Sequence, residues 1–74
     1  MKLSQLSPGE RATIVSFTDL EMSVKLMEMG CVPGELIMVD QIAPLGDPIS
    51  IRIAGYHLSL RINKAESIVV EEVN

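Results

Sequence analysis

A small, mainly β fold, in which about five short strands close into a partly open barrel, is predicted by three features of this 74-residue chain. Ile49, Ile51 and Ile53 alternate with Ser50, Arg52 and Ala54, and beyond a turn at Ala54-Gly55-Tyr56 the residues Leu58, Leu60 and Ile62 alternate with Ser59 and Arg61. A period of two with one apolar and one polar side is the pattern of a hairpin lying on a core. Turn-forming pieces recur at Pro8-Gly9, Pro33-Gly34 and Pro44-Leu45-Gly46-Asp47-Pro48, so the apolar runs between them stay short. A helical period is confined to one stretch after Phe17.

The first strand is expected at Ala12 to Phe17, where Thr13, Ile14 and Val15 supply β-branched side chains. A short α-helix follows, capped by Thr18 or Asp19, with Glu21 placed three residues after Thr18 as in a capping box. Leu20, Val24 and Met27 share one face, Met22, Leu26 and Met29 a neighbouring one, and Glu21, Lys25 and Glu28 form a polar stripe. Gly30 stands where a left-handed cap ends the helix. Pro33-Gly34 suits the centre of a type II turn, since proline sets the first φ and glycine accepts the positive second one. The second strand then runs from Leu36 to Ile42.

In the corner that follows, Pro44 cannot donate to a ladder, Gly46 permits an unusual φ, Asp47 can cap its own turn and Pro48 holds Asp47 extended. After the hairpin, Asn63 with Glu66 has the spacing of an N-cap and a first-turn carboxylate, which places a single helical turn at 63–67. The run from Ser67 to Val73 is the last strand. Five strands with a sharp corner and a terminal helical turn fit one SH3-like barrel over residues 1–74 better than a sandwich, which needs more strands.

Composition narrows the function. The formal charge is -4 and the aromatic residues are Phe17 and Tyr56 alone, so the cationic groove and stacking rings of a nucleic-acid binder are missing. The N-terminus reaches a Pro-Gly turn before an apolar run develops, and no run approaches the roughly 20 residues that span a bilayer. A single cysteine, Cys31, fits a reducing, cytoplasmic setting and reads as a small buried hydrophobe.

No nucleophile, base or metal set with matched partners emerges. His57 falls in the series with Ser59 and Arg61, where no carboxylate stands to orient its ring, and it reads as an exposed or edge histidine. Two readings stay open for Met22, Met27 and Met29: they fill a core poor in aromatics, or one helix edge docks a partner through Met22 or Met29. Arg52, Arg61, His57 and Lys64 are either a solvated face or a cationic patch that orients an acidic partner. Leu45-Gly46-Asp47 either only turns the chain or is also a recognition edge, held by its two prolines so that little entropy is lost on docking.

Leu26, Met29 and Gly30 at the helix end, the turn Pro33-Gly34, the corner Ala43 to Pro48, Gly55, Leu58-Ser59-Leu60-Arg61, and Ala65 with Ile68 and Val70 come in an order that resembles the FeoA family. That family is the small cytosolic component of bacterial ferrous iron uptake, and the resemblance covers nearly the whole chain. Lys25 and Cys31 depart from the arginine and the aliphatic residue usual there. The resemblance implies an SH3-like barrel and a non-enzymatic accessory protein that binds the cytosolic side of the ferrous iron transporter FeoB, whose N-terminal part is a GTP-binding domain. It implies no catalytic residues, and neither a cofactor nor a metal ligand is assigned. The membrane is reached only through that transporter, and weak self-association is a further partner expectation.

The residues expected to meet the partner are Met22, Lys25, Leu26 and Met29 on the helix edge and Leu45, Gly46 and Asp47 at the corner. Arg52 and Arg61 join them as the arginines of the hairpin able to reach a GTP-binding domain. The alternative function is a metal-sensing or regulatory module similar to the SH3-like C-terminal domain of metal-dependent repressors.

Overall fold

A computed structural model describes residues 1–73. A 3-10 turn at Leu3–Gln5 leads into β1 (Arg11–Phe17), α1 (Leu20–Glu28), β2 (Leu36–Ile42), β3 (Ile49–Ile53), β4 (Tyr56–Leu60), α2 (Ile62–Glu66) and β5 (Ile68–Val73). The strands form one antiparallel sheet in the order β4-β3-β2-β1-β5. This is the mainly β, five-stranded SH3-like architecture expected from the sequence.

Curling so short a sheet needs local breaks in register, and there are two. In β1 the pairing with β5 shifts between Ile14 and Ser16, and in β2 the pairing with β3 shifts between Val39 and Gln41. Each extra residue bends its strand and reverses the alternation of sides. Ala12 and Ile14 are buried before the first bulge and Phe17 packs on the core after it; Ile37 and Val39 precede the second and Ile42 follows it. The core so assembled holds Ile49, Ile51 and Ile53 of β3, Leu60 of β4, and Ile68 and Val70 of β5, together with Leu26, Cys31 and Ala65.

The N-terminal segment is part of this core, which the sequence pattern did not show. Leu3 and Leu6 are buried, and the Gln5 carboxamide accepts the Lys2 N–H at 2.7 Å, holding the 3-10 turn across one end of the barrel. The Val70 N–H donates to the Met1 carbonyl at 2.8 Å, so the first residues also cover part of the outer edge of β5.

The end of α1 follows the expected chemistry closely. Gly30 has φ +101° and its N–H donates to the Met27 carbonyl, while the Cys31 N–H donates to that of Leu26. Those two bonds define a Schellman cap, and Leu26 and Cys31 are both buried beside it. Gly30 also lacks room for a side chain: a Cβ there would collide with the Tyr56 hydroxyl, which donates to the Met29 carbonyl at 2.5 Å. The Glu35 N–H donates to the Val32 carbonyl and Gly34 has φ +96°, the type II turn that Pro33-Gly34 implies.

The first helix start takes one of its two expected caps, and the second differs from expectation. Asp19, not Thr18, caps α1, its carboxylate accepting the Met22 N–H at 3.0 Å. Thr18 instead gives its N–H to the Ser67 carbonyl and ties the end of β1 to the start of β5. The single turn α2 begins at Ile62, not after Asn63, and β4 stops at Leu60. Its first N–H finds no acceptor in the local sequence; Asp47, from the corner between β2 and β3, accepts it at 3.0 Å.

Candidate partner-binding surface

Among the exposed apolar residues, those on and beside α1 define a candidate region. Ser23 and Leu26 are buried, Met22 and Met29 lean on the core, and Leu20, Val24 and Met27 are left at 84%, 51% and 42% exposure. Leu26 is therefore a packing residue and drops out of the expected surface. The apolar stripe offered to solvent is that of Leu20, Val24 and Met27, and not the Met22 and Met29 side that the boundary with the polar residues suggested. Leu20 and Met27 line a shallow groove of about 420 Å³ with Val15, Phe17 and Pro33. Val15 is exposed because it sits at the bulge of β1.

On another flank of α1, Met22 and Lys25 line a cleft of about 220 Å³ with Asn63 and Lys64 of α2 and with Asp19 and Glu21. The corner adjoins the same helical turn. Its Gly46 N–H donates to the Ala43 carbonyl at 2.7 Å and the Ala43 N–H to that of Pro48, and the Asp47-Pro48 peptide is cis. Asp47 points inward from this loop to cap α2, so its role is architectural, between elements, and not the capping of its own turn. Leu45 projects the other way and is 97% exposed. Met22 and Lys25 of α1 and Asp47 of the corner thus all lie against α2, an arrangement that only tertiary structure creates.

Arg52 and Arg61 stand apart from each other in their partners. Arg52 on β3 lies 3.7 Å from Asp40, whereas Arg61, just beyond β4, lies 3.9 Å from Asp47. Both side chains are mostly exposed, so these are weak surface pairs. His57 is directly opposite Arg52 in the ladder, and its Nδ1 lies 2.7 Å from Asp40 Oδ2. A carboxylate does orient this ring after all. It comes from β2, two strands away, where the bulge turns Asp40 toward the hairpin, so the local series around His57 could not reveal it.

The chemistry available at this pair is limited. Among the described residues the hydroxyls of Thr18, Ser23, Tyr56 and Ser67 are directed at backbone carbonyls, and no hydroxyl is hydrogen-bonded to the imidazole. Burial pushes the Cys31 thiol above its ordinary value, which keeps it protonated and unreactive. Among the described residues no three His, Cys, Asp or Glu side chains converge as metal ligands. At the N-terminal end of the barrel Glu10 meets Glu72. The Ser7 N–H holds the Glu10 carboxyl below the usual carboxylate range, and the shared hydrogen bond and charge of Glu10 raise that of Glu72. No helix among the described residues is long and apolar enough to cross a membrane.

Residues 1–72 match the FeoA domain family. The chain belongs to the FeoA family. It is 43% identical over its whole length to the Fe(2+) transport protein A/Fe(2+) transporter FeoB fusion protein of Porphyromonas gingivalis, of which it spans 9%. The FeoA-like protein of Clostridium acetobutylicum superposes on all of this chain and 87% of its own, with a TM-score of 0.94 and 33% identity. The FeoA of Stenotrophomonas maltophilia, solved with zinc and described as a prokaryotic SH3 domain protein, covers 96% of this chain and 89% of its own. Its TM-score is 0.83 and its identity 30%. A manganese-dependent transcriptional repressor shares the fold alone, with a TM-score of 0.87 at 19% identity over 99% of this chain and 41% of its own. The family is one of ferrous iron transport, and this FeoA domain has its SH3-like barrel.

Proposed function

We propose that this FeoA domain is a cytoplasmic accessory protein of ferrous iron uptake that acts by binding the cytosolic side of FeoB, with no chemistry of its own. The observation that carries this reading is the Porphyromonas gingivalis protein in which a matching domain and FeoB share one polypeptide. Covalent linkage keeps two modules at high effective concentration, which strengthens contact between modules that bind each other. The surface chemistry supports the same reading: an exposed apolar stripe at Leu20, Val24 and Met27, and an unpacked Leu45 on a braced corner, suit docking. The membrane is then reached through FeoB, and Lys25, Arg52 and Arg61 serve to orient an acidic partner surface.

The test is a titration of isotope-labelled protein with the GTP-binding domain of its own FeoB, with and without nucleotide, and then with the whole transporter, reading backbone amide shifts. Shifts are expected at α1 and the 43–48 corner, and Leu45→Ala should weaken binding while leaving thermal stability unchanged. Absence of shifts with both the isolated domain and the whole transporter would overturn the proposal. Loss of stability in Leu45→Ala would remove the corner from the recognition surface.

A further inference from the structure

The two edges of the sheet are treated very differently. The outer side of β5 is bonded in part by Met1 and bridged by Lys2 opposite Val69, and the strand carries Glu71 and Glu72. The outer side of β4 has none of the usual protections: Tyr-His-Leu-Ser-Leu contains no Lys, Pro, Asp or Glu, and its ladder with β3 runs without a bulge from Tyr56 to Leu60. No backbone bond from outside the sheet reaches residues 56–60 among the described residues.

Which groups face outward follows from the turn. Ala54 and Gly55 have φ +49° and +83°, a two-residue connection of type I′. In such a hairpin the flanking pair, Ile53 and Tyr56, is hydrogen-bonded, and the bonded pairs recur every second residue. Tyr56, Leu58 and Leu60 therefore spend their N–H and C=O groups on β3. Those of His57 and Ser59 point away from the sheet, at two exposed residues.

We propose that this edge pairs, antiparallel and about a two-fold axis at Leu58, with β4 of a second copy of the chain. The register is self-complementary. His57 of each copy lies opposite Ser59 of the other, and because both have outward backbone groups each such pair exchanges both hydrogen bonds. Leu58 meets Leu58, and Tyr56 meets Leu60, so the half-buried Leu58 gains cover on the core side. A register centred on His57 would set two imidazoles against each other; the Leu58 axis avoids this. Few side chains are buried, so the dimer is weak and forms at high protein concentration. Symmetry offers any strand such a register; what suits a second copy here is that it opposes apolar Leu58 to Leu58 and Tyr56 to Leu60 and sets no like charges against each other.

The test compares the wild type with Ser59→Pro and Ser59→Lys by sedimentation velocity over micromolar to millimolar concentration, with amide exchange in parallel. The outward N–H of Ser59 makes no ladder bond, so proline there blocks pairing without disturbing β3. The wild type is expected to sediment faster as concentration rises, and its His57 and Ser59 amides to become protected in step, while both variants stay monomeric with unchanged circular dichroism. Should Ser59→Pro fail to fold, Ser59→Lys decides. A wild type that stays monomeric, a dimer that persists in the variants, or His57 and Ser59 amides that gain protection only when FeoB is added would each overturn the proposal.

Discussion

Replacing Asp47 with alanine should destabilise the protein through a helix 15 residues further along the chain. Asp47 Oδ1 accepts the Ile62 N–H at 3.0 Å in a partly buried position, and α2 has no cap from its own N-terminal residue. Loss of a capping acceptor costs about 1 kcal/mol, within a range of about 0.5–2. Desolvation of a donor left without a partner pushes the value toward the upper half of that range. The Arg61 pair adds little, since it spans 3.9 Å with side chains 69% and 37% exposed. A sum of about 1–2 kcal/mol corresponds to a fall in Tm of roughly 6–13 °C for a domain of this size. Thermal unfolding followed by circular dichroism reads it directly. Asp47→Asn keeps an acceptor oxygen and should lose less than about 0.5 kcal/mol. An alanine variant as stable as the wild type, or an asparagine variant that loses as much as the alanine, would refute the long-range cap.

Further outcomes follow from the same geometry. Gly30→Ala should cost about 1–2 kcal/mol from the left-handed conformation alone. It should also displace the Tyr56 hydroxyl, so Gly30→Ala combined with Tyr56→Phe is expected to cost less than the sum of the two in chemical denaturation. Ala54→Asn should raise stability by about 0.5–1 kcal/mol, because Asn-Gly is the preferred type I′ pair and Ala54 now holds φ +49°. Glu72→Gln should stabilise the fold at neutral pH, where Glu10 and Glu72 otherwise repel. The raised carboxyl of Glu72 takes up a proton as pH falls through its folded-state value, so the advantage of the variant should vanish in acid. Glu10 acts in the opposite sense: its depressed carboxyl contributes stability above the ordinary carboxylate range, which is lost on acidification. Denaturation midpoints of both proteins across pH check the sign.

The local code of the chain was legible where structure depends on neighbours in sequence. The hairpin of Ile49 to Leu60, the cap at Gly30 and the turn at Pro33-Gly34 rest on side-chain period and on φ values that only certain residues tolerate. The bulges at Val15 and Asp40 left a weaker trace, a slip in apolar phase between Val39 and Ile42, which reads as noise without the partner strand. Leu3 and Leu6 carried no periodic signal because a single 3-10 turn is too short for one.

The candidate surface was legible only in its parts. Composition marked α1 as having more apolar residues than one contact uses, but which stripe meets the core was decided by how β1 and the loop after Gly30 carry the helix against the barrel. Leu26 went inward, and Leu20, Val24 and Met27 were left facing water. Asp47 and Asp40 show the same division. By itself the sequence determined the strand count, the turns, the corner and the acidic, ring-poor character that disfavours nucleic acid, since these depend on local backbone preference and total charge. Only the tertiary structure decided that Asp47 caps α2 and that Asp40 holds His57, because a hydrogen bond between residues 15 or more apart depends on where the sheet brings its strands, and no short-range pattern records that distance.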